Sequence, residues 1–205
     1  MRLWASLLSY LLALFTTPVL AADAPKQSTQ NAFDFTFIGI DGEPLPLSQY
    51  RGRAVLIVNV ASKCGFVPQY AEMQTLWETY RNKGLVVIAV PANDFDNQEP
   101  GAEADIKKFA TEQYNVTFPM TSKVHVIGDE AHPFYRWAVA QLGTKARPVW
   151  NFHKYLIAPD GRLADWFFSF TSATSPRVVR SIEANLPKDF VAMPEPPEPG
   201  ARPKK

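Results

Sequence analysis

A chain of 205 residues, 46% hydrophobic and 20% charged, is long enough for one globular domain with a sizeable core and short for two. Its 21 basic and 20 acidic residues nearly cancel, leaving a formal charge of +1. They are spread along the chain, which excludes the concentrated basic face that phosphate backbones require, so no nucleic-acid partner is expected. One cysteine, Cys64, excludes an intramolecular disulfide and the Cys-x-x-Cys chemistry of disulfide oxidoreductases.

Residues 1–22 open with Met-Arg and continue in an apolar run broken only by small hydroxyl residues, Tyr10 and Pro18, then end in Ala21-Ala22. This is the layout of a secretory signal peptide, with cleavage expected after Ala21 or Ala22 and an exported, periplasmic or secreted product. An uncleaved anchor is the alternative, because the run is nearly long enough to span a bilayer. Residues 23–32 are polar and read as a flexible lead-in.

The stretch 33–37 alternates apolar and polar, and Asp41-Gly42 turns the chain toward Leu45 and Leu47, predicting an N-terminal β-hairpin. AVLIVNV over 54–60 reads as a strand buried on both faces. Tyr70, Met73, Leu76, Trp77 and Tyr80 fall at helical spacing and stop at Asn82-Lys83-Gly84. LVVIAV over 85–90 is a second buried strand, and Ile106, Phe109 and Ala110 mark a helix after Pro100-Gly101. A short strand is expected over 116–120, a helix over 132–142, an antiparallel hairpin from 152–157 and 163–168 across Pro159-Asp160-Gly161, and a final helix over 177–186. The tail, 191–205, is rich in proline and charge and cannot bury enough apolar surface to order itself. The domain is thus expected over 33–190.

Alternating strands and helices that end in a hairpin and a helix predict an α/β protein of thioredoxin-like fold, a central mixed β-sheet flanked by helices, preceded by the N-terminal β-hairpin. Ligands of such sheets bind beyond the carboxyl ends of the parallel strands. Cys64 lies there, in the turn from the first buried strand into its helix or among the first residues of that helix. Free backbone N–H groups, the positive end of a helix dipole and the neighbouring Lys63 all favour a thiolate at this position. Position alone leaves two readings open, a buried small hydrophobe or a nucleophile that attacks a peroxide oxygen. His125, His132 and His153 are scattered without cysteine partners, so no metal site is expected.

The residues around Cys64 carry a resemblance. Asn59-Val60-Ala61-Ser62-Lys63-Cys64-Gly65 resembles the active-site signature of glutathione peroxidases. Val90-Pro91-Ala92-Asn93-Asp94-Phe95 with Gln98-Glu99-Pro100-Gly101 is similar to the family's second motif, and Trp150-Asn151-Phe152 to its third. The resemblance implies a site in which Cys64 is the peroxidatic nucleophile beside Gln98, Trp150 and Asn151. Each of these three can donate a hydrogen bond to a thiolate or to a departing oxygen. Taken by themselves, Gln98 could cap a helix start, Trp150 could be core and Asn151 a turn residue.

The implied activity is a thiol-dependent peroxidase of the cysteine-containing, non-selenium kind. It would reduce hydrogen peroxide or organic and lipid hydroperoxides through a Cys64 sulfenic acid, in an oxidative stress response. No cofactor is implied beyond an external thiol co-substrate, which would be glutathione, a thioredoxin-like protein or another thiol. Where family members carry a resolving cysteine, this chain has Phe109-Ala110-Thr111-Glu112 and Pro91-Ala92-Asn93. The hairpin segment Leu163-Ala164-Asp165-Trp166-Phe167 lacks the basic residues that hold glutathione carboxylates in some members. No long insertion separates Leu142 from Trp150, so a monomer is expected. The alternative reading is an extracytoplasmic thiol redox sensor or binding module on the same fold.

Overall fold

The computed structural model describes residues 30–192. The expected signal peptide, the lead-in up to residue 29 and the tail from residue 193 lie outside the described residues. The first element among the described residues is a 3-10 turn, Ala32–Asp34, which overlaps the expected lead-in at its last residue: Asn31 caps the turn, and Ala32 is fully buried. That turn also shortens the first strand, β1, to Thr36–Ile38, which pairs antiparallel with β2 (Pro44–Pro46) as the alternation required.

Two apolar runs form neighbouring strands of a second sheet. In β3 (Ala54–Val60) and β4 (Leu85–Pro91) every residue is buried, and the two are parallel. β5 (Lys154–Ile157) pairs antiparallel with β3, and β6 (Leu163–Phe167) with β5, giving the order β4-β3-β5-β6. The crossover from β3 to β4 is α1 (Gln69–Tyr80). It closes on Gly84, whose φ of 97° only glycine adopts freely and whose absent Cβ would stand 2.5 Å from Pro187 Cγ. α2 (Glu103–Tyr114) follows, then α3 (Pro133–Leu142), capped by His132, and α4 (Pro176–Asn185), capped by Ser175.

The period of two in the strands divides the core. Leu56, Val58, Val87 and Leu156 face Tyr70, Met73 and Leu76 of α1, Ile106 of α2 and Val178 and Ile182 of α4. Val55, Ile57, Ile88 and Tyr155 face Phe134 and Ala138 of α3 together with Phe33, Phe35 and Phe37 of the N-terminal segment. The expected strand over 116–120 is not formed. Pro119 has no N–H to give to a ladder, and the segment makes only single bridges, Met120 to Ala89 and Thr121 to Gly39. Among the described residues no helix is long and apolar enough to cross a membrane.

Candidate active site

β3 ends at Val60 and α1 starts at Gln69, and the eight residues between them form a chain of tight turns. The Cys64 N–H donates to Ala61 O at 3.4 Å, the Val67 N–H to Cys64 O at 2.9 Å and the Gln69 N–H to Phe66 O at 2.9 Å. Cys64 is therefore in a turn ahead of the helix and not within its first turn, and the donor on its sulfur is the Phe66 N–H, 3.4 Å from Sγ. The cysteine is 2% exposed, while Lys63, Gly65 and Phe66 around it are exposed, so the thiol lies just beneath the surface and Lys63 extends to solvent.

The 93–101 loop is fastened to this turn from below. Asp96 and Asn97 both adopt left-handed backbone, with φ of 54° and 50°, which short polar side chains tolerate. Asn93 braces the bend by accepting the Glu99 N–H at 2.8 Å. The Lys63 N–H then donates to Gln98 O at 3.0 Å, and the Glu99 carboxylate accepts the Ser62 N–H at 2.9 Å and the Ser62 hydroxyl at 2.6 Å. Glu99 is fully buried. Burial pushes its carboxyl above the ordinary range, opposed by the two bonds from Ser62 and by Lys123 and Lys63. Lys123 Nζ closes the same loop by donating to Glu99 O at 3.1 Å and Gly101 O at 2.8 Å.

A third segment arrives from the turn before β5. Asn59, buried in β3, donates its amide to Trp150 O at 3.2 Å, gives its N–H to His153 O at 3.2 Å and accepts the Phe152 N–H. Within that clamp Phe152 has a φ of 66°, a conformation that costs a bulky residue on the order of 1–3 kcal/mol. Lys154 Nζ donates to Phe152 O at 2.7 Å. Buried Asn151 donates to Gln98 Oε1 at 3.0 Å, which leaves the Gln98 amide N–H groups free to serve another acceptor. Trp150 is half-buried, its ring 5.9 Å from that of Phe95.

Of the four residues singled out in the sequence, Gln98 and Asn151 are joined directly. The Gln98 backbone is bonded to Lys63, next to Cys64, and the Trp150 backbone to Asn59 of the strand that leads to it. The histidines lie apart: His132 caps α3, His125 pairs with Asp94 at 2.7 Å, and His153 stacks on Trp166 with ring centres 5.6 Å apart. Sequence reasoning gave no role to Asn59, Glu99 or Lys154. Lys154 did carry a signal, since it shares a strand face with Leu156 and so reads as a charge pointing inward.

A mixed four-stranded sheet with β3 and β4 paired in parallel, a lone cysteine in the loop after β3, and the Gln98 and Asn151 segments hydrogen-bonded to that strand and turn define a thioredoxin-like oxidoreductase built around one thiol. The glutathione peroxidase family profile matches residues 32–139. Similar chains include a glutathione peroxidase-like peroxiredoxin of Schizosaccharomyces pombe, 40% identical over 134 residues that cover 64% of this chain and 84% of that one. The thioredoxin/glutathione peroxidase BtuE of Escherichia coli is 35% identical over 171 residues, covering 73% and 93%. Among solved structures, T. cruzi GPX1 matches with a TM-score of 0.60 at 30% identity, over 76% of this chain and 96% of that one. A thiol:disulfide interchange protein of Chlorobium tepidum, 14% identical with a TM-score of 0.56, shares the fold alone. The chain belongs to the glutathione peroxidase family, in its cysteine-containing form, and is a thiol-dependent peroxidase.

Proposed function

We propose that Cys64 is the peroxidatic nucleophile and that Gln98, Trp150 and Asn151 complete its site. The Cys64 thiolate attacks the near oxygen of a hydroperoxide, the O–O bond breaks, and the far oxygen takes a proton and leaves as water or an alcohol, with Cys64 oxidised to sulfenic acid. An external thiol then condenses with the sulfenic acid, releasing water and forming a mixed disulfide. A second thiol attacks that disulfide and returns Cys64 to the reduced form. The amide and indole N–H groups stabilise the thiolate and the charge that develops on the departing oxygen. The observation that carries this reading is the Asn151 to Gln98 bond, formed between two segments that are each tied to the strand and turn of Cys64.

The reductant is glutathione, a thioredoxin-like protein or another thiol, and the relative from E. coli carries both of the first two in its name. The layout of residues 1–22 supports export to the periplasm or beyond, and the short link between Leu142 and Trp150 supports a monomer.

Cys64→Ser should abolish turnover. Gln98→Ala and Asn151→Ala should each lower the second-order rate with peroxide on the order of tenfold to a thousandfold while remaining folded. Wild-type rates in both would overturn the assignment. Side-by-side assays with glutathione, thioredoxin and dithiothreitol identify the reductant. Sustained turnover in excess reductant separates a peroxidase from a sensor, which would stop after about one equivalent.

A further inference from the structure

We infer that Lys154 is a positioning residue for the peroxide reaction: its buried ammonium holds the left-handed turn at Phe152 and, through that turn, keeps the Asn151 amide against Gln98. The inference rests on Asn151 belonging to the site. Lys154 is fully buried on a four-residue strand whose other members are buried too. Its strand neighbours across the sheet are Val58 and Phe167, both apolar, so a methionine would fill the same space and the ammonium is not required for packing. Its hydrogen bond goes back over two residues to Phe152 O, at 2.7 Å.

That carbonyl belongs to a residue held at a φ of 66°. Asn59 secures the turn from the β3 side through Trp150 O, the Phe152 N–H and His153 O, and Lys154 secures the Phe152 carbonyl. With Phe152 fixed, the backbone of Asn151 immediately before it is held as well, and its amide donates to Gln98 Oε1 at 3.0 Å.

The charges around Lys154 are few. Glu72 of α1 pulls its pKa upward, although that carboxylate is already engaged by the Ser172 hydroxyl and the Ala173 N–H. His153 stays neutral, its pKa lowered to about 3 by burial and then by Lys154. Asp165 of β6 and Arg177 of α4 pair with one another at 3.3 Å. Burial outweighs Glu72 and brings Lys154 down to about 7. The sign follows directly: the ammonium and its charge-assisted bond are present on the acid side of that value and are lost as pH rises through it.

The test is a double-mutant cycle of Lys154→Met and Asn151→Ala, read as the second-order rate of Cys64 oxidation by hydrogen peroxide, with near-UV circular dichroism confirming the fold. Lys154→Met should lower the rate about tenfold in the wild-type background and less than about twofold once Asn151 is alanine. Equal losses in both backgrounds would overturn the inference while leaving the site intact. An Asn151→Ala variant at the wild-type rate would instead remove Asn151 from the site, and the inference with it. If Lys154→Met does not fold, the Cys64→Ser protein decides by NMR. The Asn151 side-chain amide and the Phe152 N–H should shift together between about pH 6 and 8. No movement of the pair over that range would overturn the inference.

Discussion

Replacing Glu99 separates the geometry of a buried carboxylate from its charge. Two donors reach it, and they differ in kind: the Ser62 N–H, at 2.9 Å, can only donate, whereas the Ser62 hydroxyl, at 2.6 Å, can rotate and accept. Glu99→Gln can therefore keep both contacts, its carbonyl oxygen on the N–H and its amide on the hydroxyl, and should cost less than about 1 kcal/mol. Glu99→Ala strands the Ser62 N–H and removes the side-chain link between the 93–101 loop and the Cys64 turn, leaving the Lys63 N–H on Gln98 O. Losing two bonds to a charged acceptor, less the relief of no longer burying a charge, comes to about 3 kcal/mol. For a domain of this size that is a drop in Tm of about 6–12 °C.

The carboxyl sits above its ordinary 4.5, so the folded state binds the proton more tightly than the unfolded chain. Wild-type stability contributed by this group is then greatest in acid and is lost as pH rises from 4.5 through the raised value, a slope that Glu99→Gln should not show. Urea unfolding from pH 4 to 8 and thermal scans measure both effects, and the peroxide rate of Glu99→Ala should fall with its stability. An alanine variant within 1 kcal/mol of wild type, or a glutamine variant as damaged as the alanine one, would refute the reasoning.

With one cysteine in the chain, Cys64 sulfenic acid has no internal thiol to meet. Excess peroxide without reductant should drive it to the sulfinic acid, seen by mass spectrometry as two added oxygens and not reversed by dithiothreitol; full recovery after prolonged exposure would contradict this. His153, held to about 3 by burial, stays neutral when folded but takes a proton near 6.5 when unfolded, so stability should fall as pH drops from 6.5 toward 3. His153→Phe, which keeps a ring to stack on Trp166, should flatten that acid slope in urea titrations.

Most of the architecture was legible because its signals are local. The apolar runs over 54–60 and 85–90 became β3 and β4, the second longer by Pro91, and Gly84 stopped the first helix through a backbone angle that sequence can announce. The expectation for 116–120 failed on a single atom, the missing N–H of Pro119. Alternation over 33–37 was read as strand, but Asn31 competes by capping a 3-10 turn, and the strand starts only at Thr36.

In the candidate site the motifs pointed to Cys64, Gln98, Trp150 and Asn151, and the fold ties their segments together. What the sequence could not disclose is the framework between them. Asn59 reaches Trp150 across 91 positions and Ser62 reaches Glu99 across 37, and contacts at such separations leave no periodic trace. The left-handed backbone at Phe152 was equally hidden, since no residue type advertises a bulky ring in that conformation.

Because the sheet ends at β4, the most apolar strand in the protein is also a border. One flank of LVVIAVP is satisfied by β3; the other is sewn shut by a passing segment, through Ala89 to Pro119 O and Thr121 N and through Pro91 O to Val124 N. That seam is a few hydrogen bonds long and contains no strand of its own. Loosening it would present a bare, uncharged β-edge to any neighbouring molecule, a template for intermolecular pairing. Substitutions that weaken the hold of residues 118–124 on β4 should therefore promote clumping under heat or mild denaturant, even where the core they cover is unchanged.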